Sequence, residues 1–200
     1  MNRFAIALLL PIALAGCPDI EKPAENINDG EVITTVELTF TPAAGAALVF
    51  SHADPENDGA PVIDPIVLPI GAYTLGVRFL NELEDPAEDI TVEVDAESDE
   101  HQVLVYGSGI DSEATGDNAA ALAVIGYDDE DTNGLPVGLT HTLDATTAGT
   151  AELQLMLRHL PTENETVVKN DAVADDFASG GSTGIGGEVD ADVTFPLTVQ

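Results

Sequence analysis

The stretch that decides the fold is VITTVELTF, residues 32–40, in which apolar residues recur at alternate positions. A period of two residues is typical of a β-strand with one buried face. Residues 73–79 (YTLGVRF) repeat it, and similar runs lie at 47–51, 63–68, 89–94, 102–106, 122–127, 139–143, 151–158 and 189–199. About ten short strands separated by Gly, Pro, Asp and Asn clusters predict an all-β fold, an antiparallel β-sandwich of the Ig-like or Greek-key type.

Helices are not predicted as major elements. No window of 12 or more residues combines the 3.6-residue apolar spacing with capping residues. Residues 81–89 and 118–123 could each hold one helical turn. The pattern therefore argues against an α/β fold.

An acidic motif occurs twice. Residues 54–62 (DPENDGAPV) and 129–137 (DEDTNGLPV) share the pattern D-x-[DE]-x-[DN]-G-x-P-V. Each copy follows an apolar run and precedes a strand that ends in Leu-x-Val-Arg or Leu-x-Leu-Arg. The repeat predicts two similar β units, about residues 32–100 and 101–200, that either pair into one sandwich or form two small barrels.

Both motifs have the spacing of a calcium loop, in which alternate carboxylates converge on the ion and a Gly permits the sharp turn. The candidate ligands are Asp54, Glu56, Asp58, Asp129, Asp131 and Asn133. An EF-hand also uses a Glu at loop position 12, where this chain has Pro65 and Thr140. Two interpretations stay open: Ca²⁺ bound with a dissociation constant of about 10⁻⁴ to 10⁻³ M, or an ordinary Asx-rich hairpin turn.

The four histidines, His52, His101, His141 and His159, share strand parity with aliphatic neighbours. A cluster of neutral imidazoles could bind zinc, and a metal-dependent hydrolase would use such a cluster. No pair has the spacing H-x-H or H-x₃-H. The main interpretation is therefore that these are core-edge residues, and a metal or ligand site is the alternative.

No catalytic residue is predicted. Residues 107–109 (GSG) lack the full G-x-S-x-G elbow, and residues 180–187 (GGSTGIGG) lack the Lys and the following helix of a P-loop. We interpret the glycine-rich run as a hairpin loop before the last strand, and the acidic runs 82–89 and 95–100 as solvated edges. The chain is therefore expected not to be an enzyme.

The amino terminus has the features of a bacterial lipoprotein signal. Arg3 is followed by an apolar run over residues 4–14, which is too short to span a bilayer of about 20 apolar residues. Residues 14–17 (LAGC) then form a lipobox. We expect residues 1–16 to be a signal peptide, Cys17 to carry the lipid, residues 17–31 to be an acidic tether, and residues 32–200 to form the folded domain.

The charge of the chain is strongly negative. With 37 acidic against 5 basic residues, the formal net charge is −32, which excludes nucleic acid as a natural partner because phosphates are bound through Lys and Arg. The same charge repels anionic membrane surfaces, so the lipid must do the anchoring. Cys17 is the single cysteine, so no intrachain disulfide is expected.

Several short stretches resemble a group of small lipoproteins of marine bacteria. They are the first acidic loop and EVITTV (31–36), PAEDIT (86–91), DEHQ (99–102), LMLRH (155–159) and VTFPLTVQ (193–200). Some members are labelled as a "type 1 periplasmic binding fold superfamily", which implies an α/β solute-binding fold, whereas the period-two pattern indicates β structure. No activity is implied by the resemblance. It draws attention to His101 and His159.

Together these features predict a lipid-anchored module of the cell envelope with a non-enzymatic binding or structural role, stabilised by calcium in one interpretation. The alternative is a periplasmic solute-binding lipoprotein. The expected partners are the membrane, through the lipid, and an envelope protein or a small solute. By resemblance to lipoproteins sorted outward, the absence of Asp directly after Cys17 favours the outer membrane.

Overall fold

The computed structural model describes residues 31–162 and 168–200. The chain is mostly β, with 47% strand and 10% helix, and the strands form two sheets. The prediction of an all-β fold is confirmed. The predicted signal peptide, Cys17 and all of the tether except Glu31 lie outside the described residues.

The described part of the chain contains twelve strands and two α-helices. The strands are β1 (Thr35–Pro42), β2 (Leu48–Ala53), β3 (Val62–Ile63), β4 (Ile66–Leu68), β5 (Gly71–Asn81), β6 (Glu88–Asp89), β7 (His101–Tyr106), β8 (Ile110–Asp111), β9 (Ala123–Tyr127), β10 (Thr140–Ala145), β11 (Gly149–His159) and β12 (Glu188–Val199). The helices are α1 (Thr91–Ala96) and α2 (Val173–Gly180), and a 3₁₀ turn follows at Gly181–Thr183.

Sheet A is curled and runs in the order β3-β2-β1-β5-β10-β9-β8, with β6 paired to β5; sheet B runs in the order β4-β12-β11-β7. Neighbouring strands are antiparallel except for β4–β12 and β8–β9, which are parallel. The predicted antiparallel arrangement thus holds for most strand pairs and does not hold for these two pairs at the sheet edges. Parallel pairing of two successive strands requires a long connection. The chain between Asp111 and Ala123 makes such a connection instead of a tight hairpin.

The core lies between the inner faces of the two sheets. Leu38 and Phe79 from sheet A and Leu155 and Phe195 from sheet B are fully buried in one apolar cluster. β5 alternates buried and less buried residues along most of its length, as the period of two predicts. A second, smaller cluster forms where α2 packs through Phe177 on the outer face of sheet B.

Residues 89–94 were expected to form a strand, and this prediction is wrong. Only Glu88–Asp89 pairs with β5, and α1 follows. Ile90, Val92 and Val94 alternate along the sequence, but Ile90 and Val94 are buried on one helical face while Val92 is 69% exposed. In so short a run, apolar residues four apart satisfy the periods of a strand and of a helix equally.

The structure also differs from the sequence-based predictions for the helical turns and for the glycine-rich run. Residues 81–89 and 118–123 contain turns and short strand segments but no helix. α2 was not predicted, and the glycine-rich run 180–187 holds the end of α2 and the 3₁₀ turn rather than a simple hairpin loop. No described helix is long and apolar enough to cross a membrane.

The two halves of the chain are interleaved. The strands that follow the repeated acidic loops lie in different sheets, β5 in sheet A and β11 in sheet B. Pairing of β5 with β10, and of β4 with β12, joins residues of the first half to residues of the second. The described part of the chain therefore does not form two separate small barrels.

Candidate functional site

Two histidines meet at one end of the inner face of sheet B. His101 begins β7 and His159 ends β11, and the two are paired directly in the strand register. Their rings are stacked, with centroids 4.7 Å apart and planes 10° from parallel. Because Val103 and Leu157 of the same strands face the core, strand parity turns both imidazoles inward.

Asp190 joins them through a β-bulge. The register between β11 and β12 pairs Leu157 with Ala191 and Arg158 with Val189, so Asp190 is left without a partner residue. A bulged residue falls outside the strict alternation and can be aimed differently from its neighbours. The Asp190 side chain is 3% exposed, and its Oδ2 lies 3.8 Å from Nε2 of His101.

Glu31 completes this group from the segment before β1. Its Oε1 lies 3.3 Å from Nε2 of His101, and its side chain is 10% exposed. We call Glu31, His101, His159 and Asp190 the acid–imidazole cluster. Its members come from four separated parts of the sequence: the segment before β1, and strands β7, β11 and β12.

The ionisable groups of the acid–imidazole cluster shift one another's pKa values. Burial opposes protonation of His101, but the carboxylates of Glu31 and Asp190 raise its pKa above the ordinary value. His101 lowers the pKa of Glu31, although burial opposes the shift. Burial, together with the negative charge of Glu31, raises the pKa of Asp190 to about 6.

Within residues 31–162 and 168–200, three buried atoms of the cluster make no hydrogen bond. They are Oε2 of Glu31, Nε2 of His101 and Oδ2 of Asp190. On its other side, His101 places Nδ1 3.1 Å from the carbonyl oxygen of Glu97, so Nδ1 carries the proton and donates it. In the neutral ring Nε2 then presents a lone pair to two carboxylates. This contact is repulsive unless Nε2 is protonated or a cation lies between the groups.

A cleft of about 320 Å³ opens between the sheets beside the cluster. Apolar residues of β1 and β12 line it, including Val36 and Val193, and the loop after β2 forms a further wall. His52 lies in this cleft, with its ring 6.1 Å from that of Phe195. Asp190 belongs to both the cleft and the acid–imidazole cluster, so the two features are continuous.

The first acidic loop is held by its own backbone. Oδ1 and Oδ2 of Asp54 accept hydrogen bonds from the backbone N–H groups of Asp58 and Gly59, at 3.1 and 2.7 Å. Asp58 accepts one from Ala60 at 3.0 Å, and Glu56 is exposed. This is the arrangement of an Asx-rich turn.

The second acidic loop is organised around a lysine that the sequence did not single out. Oδ1 of Asp131 accepts the N–H groups of Asn133 and Leu135, while Oδ2 lies 2.8 Å from Nζ of Lys169. Both charged side chains are fully buried, and Lys169 also donates to the carbonyl of Ser98. Burial opposes ionisation of Asp131, but Lys169 keeps its pKa below the ordinary value.

Asp129 faces the backbone as well. Its two carboxylate oxygens accept hydrogen bonds from the backbone N–H groups of Gly138 and Thr140, at 2.7 and 2.9 Å.

Across residues 31–162 and 168–200, two groups of three acidic and histidine residues have ligand atoms within 4.8 Å of one another. They are Glu31–His101–Asp190 and Glu97–His101–His159. The structure thus brings together the two histidines that the resemblance indicated. It adds Glu31 and Asp190. Of the predicted calcium ligands, Asp54 lines the cleft beside the cluster, and none belongs to the cluster itself.

The glycine-rich run 180–187 surrounds a buried arginine. Arg158 donates hydrogen bonds to the hydroxyl of Ser182 and to the carbonyls of Gly186 and Gly187. A phosphate loop would present N–H groups to its ligand, whereas these carbonyls point at a cation. Gly187 has φ +75°, and a Cβ there would lie 1.9 Å from the carbonyl of His159, so the start of β12 depends on this glycine.

Comparison with known proteins gives no guide to this site. The chain matches no protein-family model, no curated protein and no solved structure.

Proposed function

We propose that the protein is a lipid-anchored, non-enzymatic module of the cell envelope that binds a positively charged ligand at the acid–imidazole cluster. The lipid is carried by Cys17, and a β-sandwich of Greek-key type presents the cluster.

The observation that carries the proposal is that, in the part of the chain that the structure describes, three buried atoms of Glu31, His101 and Asp190 make no hydrogen bond. A buried polar atom without a partner costs about 1–3 kcal/mol, and more when it is charged. A single positive charge between these groups would offset the cost of burying the two carboxylates and would give the imidazole lone pair a partner. The net charge of −32 also favours cations over anions near the protein.

Binding of a small organic solute is the second candidate. It is favoured by the cleft of about 320 Å³, near the lower end of the roughly 300–1,000 Å³ range for ligand pockets. Because Asp190 lines this cleft, such a solute would be an organic cation with an apolar body that contacts Val36 and Val193.

The test is a thermal-shift titration of the full-length protein in detergent with divalent metal ions and small organic amines. A ligand at 100 times its dissociation constant stabilises the folded state by about 2.7 kcal/mol. Asp190→Asn should abolish the stabilisation by cations that bind the cluster, whereas Asp144→Asn, at an exposed position of β10, should leave it intact. Absence of stabilisation by any cation would contradict the proposal.

The anchor requires a test of its own. We expect mass spectrometry of the protein purified from membranes to find acyl chains on Cys17, and Cys17→Ala to move the protein out of the membrane fraction. Fractionation should place the native protein in the outer membrane. Unmodified Cys17 would contradict the anchor without affecting the binding site.

Calcium binding by the acidic loops stays a separate prediction. If Ca²⁺ stiffens either loop, millimolar Ca²⁺ should raise the melting temperature and EGTA should reverse the rise. The rise should survive Asp190→Asn and be lost with Asp54→Asn or Asp129→Asn.

A further inference from the structure

We infer that the ligand of the acid–imidazole cluster is a divalent transition-metal ion of the zinc type, coordinated by Nε2 of His101 and by the carboxylates of Glu31 and Asp190. This inference rests on the proposed function and names the chemical class of its ligand.

The orientation of His101 is that of a metal ligand. Its Nδ1–H is donated to the backbone carbonyl of Glu97, which leaves the lone pair on Nε2. Histidines that bind metals commonly donate their second ring N–H to a carbonyl or a carboxylate, and this contact fixes the tautomer and the direction of the ring. The side chain is fully buried, so the direction of the lone pair is set by the fold.

The spacing of the donor atoms fits a small ion. With metal–ligand bonds of about 2.0–2.2 Å, neighbouring ligands of a tetrahedral ion lie about 3.3–3.6 Å apart. Nε2 of His101 is 3.3 Å from Glu31 and 3.8 Å from Asp190. All three ligand atoms lie within 4.8 Å of one another. Small side-chain movements would bring them to bonding distance.

A metal ion explains more of the cluster than a proton does. A proton on Nε2 bridges to one carboxylate at a time, whereas an ion between the three side chains contacts a donor atom from each. Its double positive charge also balances the two carboxylates, which burial otherwise disfavours as charged groups.

The donor set selects the class of ion. Calcium takes six to eight oxygen ligands, and magnesium prefers oxygen and water in an octahedron. A buried site with one imidazole nitrogen and two carboxylates suits Zn²⁺ and Co²⁺ better. Since Asp190 also lines the cleft, a fourth ligand, water or a solute, could reach the ion from that side.

His159 acts as a positioning residue. Its ring stacks on His101 at 4.7 Å, and its Nε2 lies 3.7 Å from Glu100. The ring therefore holds the plane of His101 without being one of the three ligands. His159→Phe, which keeps an aromatic ring there, should retain the metal. His159→Ala should weaken binding by about tenfold or more, as is usual for residues that orient a ligand.

The experiment is isothermal titration of the chelator-treated, full-length protein with Zn²⁺ at pH 7.5, with Co²⁺ absorption as a second readout. We expect one ion per chain and the visible bands of a low-coordinate Co²⁺ site. His101→Gln, Glu31→Gln and Asp190→Asn should each lower the affinity by about 100-fold. Asp144→Asn, at an exposed position of β10 outside both the cluster and the cleft, should leave the affinity unchanged.

The outcomes separate the inference from the proposed function. If organic amines stabilise the protein through Asp190 but Zn²⁺ does not bind, the metal assignment is overturned and cation binding stands. If no cation binds, both fail. If Zn²⁺ binds equally well to the His101, Glu31 and Asp190 variants, the metal lies elsewhere and the inference is overturned. Circular dichroism of each variant identifies any that fails to fold, and the remaining variants then decide.

Discussion

At the scale of single residues, the few basic side chains have distinct structural roles. The chain has five Lys and Arg residues against 37 acids, and Arg158 and Lys169 are both buried. Lys169 supplies the positive charge at the second acidic loop, beside Asp131. The small number of basic residues could have drawn attention to Lys169 in the sequence. A lysine that is buried in the fold needs an acidic partner.

Removal of the Lys169 charge should strongly destabilise the fold. Lys169→Met leaves the buried Asp131 carboxylate without a counter-ion, which costs about 3–5 kcal/mol. Urea denaturation monitored by circular dichroism measures the loss. The matched control is Arg78→Met, whose pair with Asp89 at 2.9 Å is partly exposed, so it should cost no more than about 1 kcal/mol. Equal losses for the two variants would contradict this assignment.

His141 should make the protein less stable in mild acid. Burial lowers its pKa, an effect that Asp129, the backbone at Gly138 and Gly126, and Asp128 only partly offset. Below about pH 6.5 the unfolded chain binds a proton that the folded chain resists, so stability falls as the pH falls.

His141→Leu should therefore reduce the loss of unfolding free energy between pH 7 and pH 5, measured by urea titrations at each pH. The remaining slope includes His52, whose pKa burial also lowers, and His101, whose raised pKa acts in the opposite direction. The matched control is His52→Leu, at a partly buried position, which should change the slope less. A slope unaffected by His141→Leu would contradict the account.

The candidate site was only partly predictable at this scale. Strand parity and the resemblance indicated His101 and His159, and the structure stacks them. Glu31 and Asp190 could not be found in the same way. Glu31 lies before the first strand, and Asp190 reaches the cluster through a bulge, which shifts a residue out of the alternation on which the prediction depends.

At the scale of elements, α1 shows where the period of two fails. Its two valines offer a direct test, since Val92 is 69% exposed and Val94 is fully buried. Val94→Ala should cost about 2 kcal/mol through lost burial and the cavity left behind. Val92→Ala should change stability by less than about 0.5 kcal/mol. If residues 89–94 formed a half-buried strand, both valines would face the same side and the two losses would be similar.

The long strands were predicted well because each has a buried inner face. The short elements were not, since two-residue strands such as β6 and β8 depend on their neighbours rather than on their own sequence. The same holds for the parallel pairing of β4 with β12, which joins residues more than a hundred positions apart. Tertiary contacts decide such pairs, and alternation along the chain carries no information about them.

At the scale of the whole molecule, strands from the two halves of the chain pair with one another, and the strands that follow the two acidic loops lie in different sheets. Strands β7, β11 and β12, all from the second half of the chain, lie side by side in sheet B. This arrangement brings His101, His159 and Asp190 together, and the segment before β1 adds Glu31. The proposed site is therefore a product of the whole fold, and a cation bound there would link the segment before β1 to sheet B.

The most direct test of the central claim is anomalous X-ray diffraction at the zinc absorption edge from crystals of the protein grown with Zn²⁺. The account predicts one strong anomalous peak within bonding distance of Nε2 of His101, Glu31 and Asp190. A map with no peak at this cluster, or with its strongest peak at the loops around Asp54 or Asp131, would contradict it.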